Sequence, residues 1–403
     1  MKIAFIHQDQ RVKTGAGYIN DLISEKLKEH GVEMLHFFPK IRLVDAPHHM
    51  KGINNILFFF SLLEYRNKVL KCDIIQGTTY TPIAFLSFPT PIVSHFGSTT
   101  YGFMRSTPLS DQIGSNLRPM WLELKDAEII TELDLKTQRP LRDIVDIETL
   151  VAKRATAIIA TSEIVKRDLE ENGVDKEKIH IVHNAIEDFW FENISDQIAP
   201  AELVYLGRLG QDVFTLKLKG LDRLIFACRA FSQVPKLSMI MTGNKKLGPW
   251  LRSTIENHTV AINLFKEEIK EKLHSRRGSI LIAPSRYEGF CLSMVEGMSQ
   301  GLIPVVFPVG VAPEIIKNGE NGYLVNSEEE MVEKIQVILD DENLRKQLSD
   351  GALATSKQFH SKAMTDKLMI IYKDIVASKP KKRRKLNPDR VVIEEVEDNK
   401  SQL

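Results

Sequence analysis

Cysteine is scarce in this chain. Three occur in 403 residues, Cys72, Cys228 and Cys291, an odd number at wide separations. That excludes a disulfide framework and a cysteine-rich metal site, and it fits a reducing compartment. Long apolar runs are missing too. The longest aromatic-rich run, ILFFFSLL at 56–63, is far short of the roughly 20 residues that span a bilayer. It reads as a core or interfacial helix. The opening MKIAFIHQDQR has too short an apolar run for a secretory signal. Charge of one sign is lacking as well. Fifty-four basic residues face 53 acidic ones, so the molecule as a whole offers no electrostatic case for nucleic acid or membrane. A cytoplasmic protein is expected.

What is present is a normal globular balance, 43% apolar and 27% charged, in a chain longer than one hydrophobic core usually holds. Two domains are therefore expected. Short apolar runs, KIAFIH, VEMLHFF, CDIIQG, TPIVSHFG, TAIIATS and KIHIVHN, read as strands, with helical patterns between most of them. The pattern restarts at AELVYLGRLG and continues through LSMIMTG, SILIAPS, IPVVFP and GYLVNS. Strands alternating with helices imply parallel sheets covered on both faces, an α/β fold. The expected division is 1–190, 200–358, a final helix over 359–376 and a charged tail over 377–403. That tail is basic and then acidic, the composition of a disordered segment.

Ligands of open parallel sheets sit beyond the carboxyl ends of the strands. After the first strand come Gly15 and Gly17, leading into a helix whose N-terminus would suit an anion. A tight strand-to-helix turn explains them equally well. His95, after PIVS, is placed to exchange a hydrogen bond with a sugar hydroxyl. Arg208 follows LVYLG, and Lys219 stands eleven positions later. Together they suit a diphosphate, the Arg as a fork and the Lys as a point charge. A solvated basic loop is the plainer reading, and Lys217 is a rival to Lys219.

The most informative stretch is RYEGFCLSMVEG, 286–297. It follows the strand-like ILIAP and holds Glu288 and Glu296, eight positions apart. A helix starting near Cys291 puts Glu288 on the loop and Glu296 about one turn inside. Amides from Gly289, Phe290, Cys291 and Leu292 would then face an anion, with a carboxylate on either side. Carboxylates bind vicinal diols well. A sugar, a diphosphate and a ribose in a row fit this arrangement, which describes a nucleotide sugar. Acids complementing a helix dipole would explain Glu288 but not Glu296.

With these residues in hand, the chain resembles glycosyltransferase family 4, whose members share the two-domain GT-B fold. PSRYEGFCLSMVEGMSQGLIPVV resembles that family's Glu-x7-Glu signature and the small-residue run after it. VYLGRL, KGLDRLIFA and PVGVAPEIIKNGENGYLV resemble its nucleotide-binding domain, and ATAIIATSEIVKRDLEENGVDKEKIHIVHNAIEDFWF the end of its acceptor-side domain. The resemblance implies two Rossmann-like domains facing a cleft, with the last helix crossing back to the first. It implies retaining transfer from a nucleotide diphosphate sugar to a glycan, lipid-linked or other hydroxyl acceptor, with no cofactor and no obligatory metal. By that resemblance Glu288 contacts the donor sugar, Glu296 holds the ribose, and Arg208 and Lys219 stabilise the diphosphate. His95 lies near the transferred sugar, and Gly15–Gly17 meet the phosphates. Cys291 departs from the pattern by standing where a glycine is common. HTVAINLF lacks the usual glycine of the strand before the base-binding loop, and residues 98–150 match poorly, which assigns them to the acceptor side.

Two other readings fit parts of the sequence. A nucleotide-sugar 2-epimerase shares the GT-B fold, and a non-catalytic binder could use the same scaffold. The run KPKKRRK, Lys379–Lys385, has six basic residues in seven and is able to touch an anionic membrane. No aromatic residue interleaves it, which argues against nucleic acid.

Overall fold

The protein is described here by a computed structural model covering residues 1–7, 15–39 and 58–378. The tail and its basic run Lys379–Lys385 lie outside the described residues. Two parallel sheets of six strands each form the framework. The first contains β1 (Lys2–Ile6), β2 (Glu33–Phe37), β3 (Ile74–Thr78), β4 (Ile92–Phe96), β5 (Ala157–Ala160) and β6 (Ile179–Ile181), in the spatial order β2-β1-β3-β4-β5-β6. The second contains β7 (Leu203–Arg208), β8 (Lys236–Met241), β9 (His258–Ile262), β10 (Ile280–Ala283), β11 (Ile303–Val306) and β12 (Tyr323–Leu324), in the order β12-β11-β10-β7-β8-β9. Every pairing is parallel. Both orders carry the chain outward from a central strand and back, which places the ligand crevice at the carboxyl ends.

The sequence pattern explains most strands directly. Strands β3, β4, β5, β10 and β11 are buried along their whole length; β5, β10 and β11 read as continuous apolar runs, whereas β3 also buries Gln76 and Thr78 and β4 buries Ser94 and His95. β9 is different: it is an edge strand, only Val260 of it is buried, and no apolar run announces it.

Two segments cross between the domains. The helix Ser361–Ala377 lays Met364, Leu368 and Tyr372 on one stripe against Ile3, Phe5, Ile19 and Ile23. The last helix therefore returns to the first domain, as the family resemblance implies. The second crossing was not expected. After β4 the chain leaves the first sheet, and Ile113, Leu117, Met120, Trp121 and Leu124 enter the core of the second domain. Trp121 Nε1 donates to Asp222 Oδ2 at 3.1 Å, and Lys217 Nζ reaches Asp134 Oδ1 at 2.7 Å. Among the described residues, no helix is long and apolar enough to cross a membrane.

One buried acid at the root of this excursion sets a pH dependence. Glu148 accepts from Thr100 N at 2.8 Å and from Thr100 Oγ1 at 2.9 Å. Burial pushes its carboxyl up to about 7, with the two Thr100 hydrogen bonds pulling the other way. A raised folded-state pKa favours the protonated form. Its contribution is complete below the unfolded value near 4.5 and is lost as the pH rises through 7. Glu148→Gln removes that dependence. Relative to wild type, the variant gains on the order of 3 kcal/mol between pH 5 and pH 8. Urea midpoints at both pH values check this; a constant difference between the two proteins would contradict it.

Candidate active site

The centre of the site is the turn from β10 into the helix Leu292–Ser299. Glu288 Oε1 accepts from Lys219 Nζ at 2.6 Å and from Ser285 Oγ at 2.8 Å. Lys219 closes the short helix Val213–Leu218, immediately before Gly220. Gly220 has φ +65°, and a Cβ there would stand 2.0 Å from the carbonyl oxygen of Pro284. Glycine thus lets the Lys219 turn lie directly on the exit of β10. Lys217 is turned away and buried against Asp134, so of the two lysines it is Lys219 that meets Glu288. Arg208 ends β7 and is exposed, with no carboxylate partner among the described residues.

Four successive amides follow Glu288. Those of Gly289, Phe290, Cys291 and Leu292 donate to no carbonyl among the described residues. They precede or open a helix, where N–H groups lack intrahelical partners. Cys291 is the cap, held at φ +79° in the left-handed region that glycine adopts without strain. Burial pushes its thiol up to about 12, with the Glu288 charge adding to the effect, so it stays protonated and is a poor nucleophile.

The same turn is docked on the first domain. Gly289 O accepts from Ser162 Oγ at 2.6 Å and from Thr161 Oγ1 at 3.2 Å. A Cβ on Gly289 would fall 1.9 Å from Gly97 O. Beside it, Tyr287 Oη donates to Asp168 Oδ2 at 2.6 Å and lies 3.1 Å from Thr99 Oγ1. Gly97 follows β4, which carries His95. The structure therefore brings the His95 and Glu288 loops together across the two domains. His95 is buried, its Nε2 has no hydrogen-bond partner among the described residues, and burial pushes the imidazole down to about 4, the Asn184 side chain opposing this. It is neutral at physiological pH.

Glu296 is the fifth residue of its helix and is buried. Its Oε1 pairs with Lys266 Nζ at 2.9 Å. The same ammonium takes both oxygens of Glu187, at 2.7 and 2.8 Å, and stands 4.5 Å from the centroid of the Tyr18 ring. Burial works against the Lys266 charge, but Glu296 and Glu187 together hold its pKa above the ordinary value. Tyr18 is the residue after Gly17, in the first turn of the helix Gly15–Glu29. Gly15 and Gly17 thus form the first turn of the helix itself rather than a turn before it, and that helix start approaches the Glu296 side of the site. Lys266→Met strands the buried Glu296 carboxylate beside the half-buried Glu187 carboxylate and is expected to cost about 3 kcal/mol of stability. Chemical denaturation measures it; a loss below about 0.5 kcal/mol would show that this cluster is solvated.

The sequence pointed to Glu288, Glu296, Arg208, Lys219, His95 and the glycines, but not to Lys266, Glu187, Tyr18 or the Tyr287–Asp168 bond. Lys266 opens an ordinary amphipathic helix, and Tyr287 and Asp168 are 119 positions apart, so neither partnership leaves a local signal.

Two family models match the chain in succession, Glycosyltransferase Family 4 over residues 24–188 and Glycosyl transferases group 1 over residues 200–354. The chain belongs to glycosyltransferase family 4. Among curated relatives, an uncharacterized glycosyltransferase of Methanocaldococcus jannaschii is 29% identical over 207 residues, 50% of this chain and 55% of that one. An uncharacterized 41.2 kDa protein of the Klebsiella pneumoniae cps region is 25% identical over 240 residues, 56% of this chain and 64% of that one. The matches thus span little more than half of these relatives' lengths. Among solved structures, sucrose-phosphate synthase from Thermosynechococcus elongatus superposes with a TM-score of 0.69 at 14% identity, covering 94% of this chain and 100% of that one. Anabaena HepE in complex with UDP-glucose gives 0.61 at 18% identity, covering 93% and 100%. The catalytic domain of Arabidopsis thaliana Starch Synthase IV, bound to ADP and acarbose, gives 0.63 at 12%, covering 93% and 99%. At these identities the likeness establishes the fold, which is GT-B. In this family 4 glycosyltransferase, both glutamates of the Glu-x7-Glu signature have a lysine at hydrogen-bond distance, Lys219 on Glu288 and Lys266 on Glu296.

Proposed function

We propose that the protein transfers a glycosyl unit from a nucleotide diphosphate sugar to a hydroxyl acceptor, with retention at the anomeric carbon. The observation that carries this is the grouping at the domain junction. The Lys219–Glu288 pair adjoins four amides that donate to no carbonyl among the described residues, and Glu296 follows one turn into the helix. In this reading the ribose hydroxyls meet Glu296, and the diphosphate lies against the amides, Lys219 and Arg208. The donor sugar lies between Glu288 and His95. When the anomeric C–O bond breaks, its electron pair goes to the diphosphate, where fixed cations and amides lower the barrier. The acceptor oxygen attacks on the same face and passes its proton to the departing diphosphate oxygen. The cations of the site, rather than a bound metal, take up the leaving charge. The UDP-glucose complex of HepE and the ADP complex of Starch Synthase IV support a nucleotide sugar as donor. The site of action proposed is the cytoplasm, with Lys379–Lys385 available to an anionic membrane face.

The test is incubation with UDP-, GDP-, ADP- and dTDP-sugars, followed by chromatography of nucleotide and sugar. One conjugate is expected to release its nucleoside diphosphate, and Lys219→Ala to slow that release about 100-fold. Conversion of the conjugate to an isomer without release would favour the epimerase; no consumption of any conjugate would refute both.

A further inference from the structure

A cavity of about 490 Å³ opens where the 106–117 segment of the first domain meets the second domain. That volume lies within the usual range for small-molecule sites. Neither glutamate of the signature lines it, nor do Lys219, Arg208 or His95. Two cations do, and both are already neutralised. Arg286 is gripped by Asp222 through two bonds of 2.7 Å. Arg223 donates from Nε to Glu328 at 2.7 Å, and its guanidinium lies 3.7 Å from the centroid of the Phe307 ring. With Arg286 matched by Asp222 and Arg223 by Glu328, the cavity carries no net positive charge to attract an anionic ligand.

Beside the Glu328 carboxylate, the remaining polar side chains are the Ser106 hydroxyl and three neutral amides. Asn116 Nδ2 donates to Glu329 Oε1 at 2.9 Å, which leaves the Asn116 carbonyl oxygen open among the described residues. Gln112 Oε1 accepts from Leu109 N at 2.8 Å, and its amino group has no partner among the described residues. Asn326 also lines the cavity, and its carbonyl oxygen has no partner among the described residues. Acceptors and a donor side by side suit hydroxyl groups, which do both. Ile113, Leu117 and Pro308 supply apolar wall between them. A neutral, polyhydroxylated ligand with apolar C–H faces fits this set: a saccharide. Arg286 stands two positions before Glu288, so one turn, 284–290, carries both the cavity wall and the donor-site glutamate.

We propose that this cavity binds neutral sugar units of the acceptor, an inference that rests on the transferase reading above. Saturation-transfer NMR with maltotriose, cellotriose, triacetylchitotriose and, as an acidic control, 3′-sialyllactose tests it on the full chain. At least one neutral trisaccharide is expected to receive saturation. Asn116→Trp, which fills the cavity, should weaken that binding about tenfold. Gln112→Ala, at an exposed position, should weaken it several-fold without filling space, and both variants should keep the thermal response to nucleotide. Binding of sialyllactose alone, of no saccharide, or of a neutral saccharide untouched by both variants overturns the proposal. If the nucleotide response is present in those cases, only the cavity assignment falls. If nucleotide binding is absent as well, the transferase reading falls with it.

Discussion

Glu288→Gln is expected to lower turnover about 10²–10³-fold while nucleotide affinity stays within about threefold. The amide keeps the size and the hydrogen-bonding reach of the carboxylate but not its charge. Two functions of that charge are lost together. The carboxylate holds Lys219 at 2.6 Å, where the proposed reaction has the ammonium meet the diphosphate. In the proposed reaction it also faces the positive charge that develops on the donor sugar as the bond to the leaving group stretches. Neither is needed to hold the nucleoside, whose ribose is assigned to Glu296. Steady-state kinetics beside calorimetric nucleotide titration separates the two quantities. A variant with unimpaired turnover would move the chemistry away from this turn.

Gly289→Ala is expected to reduce turnover at least about 100-fold with both sheets still folded. The added Cβ would meet Gly97 O at 1.9 Å and Ser98 Cα at 2.6 Å. Both neighbours are backbone, so no side chain can swing away. The clash must be relieved by parting the turn from the first domain, which also strains the bonds from Ser162 and Thr161 to Gly289 O. Each sheet has its own core, so circular dichroism should change little. Hydrogen exchange should quicken around 97–102, where Thr99 and Tyr287 meet Asp168. Full turnover in this variant would mean that the docked arrangement is not the working one.

The parts legible in the sequence are those set by local physics. Strands such as β5 and β10, covered on both faces, announce themselves as apolar runs. The Glu288–Glu296 spacing is legible because a turn followed by a helix fixes where two carboxylates eight positions apart can lie. What escapes is decided by distant partners. An amphipathic helix such as Arg118–Asp126 shows that it buries a face, not which domain receives it, and it is the second domain that does. The choice of Lys219 over Lys217 turns on Gly220 lying against Pro284, and Lys266 meets Glu187 across 79 positions. β9, an edge strand with one buried residue, has too weak a pattern to be seen without the family resemblance.

Glu296 and the turn before its helix are proposed to hold a nucleoside diphosphate. Thermal unfolding against UDP, GDP, ADP and dTDP reports on this, because a ligand that binds only the native state raises the midpoint by mass action. One base should stabilise the wild type clearly, and Glu296→Ala should abolish that response. A flat profile across all four nucleotides, or one that survives in Glu296→Ala, would contradict the account.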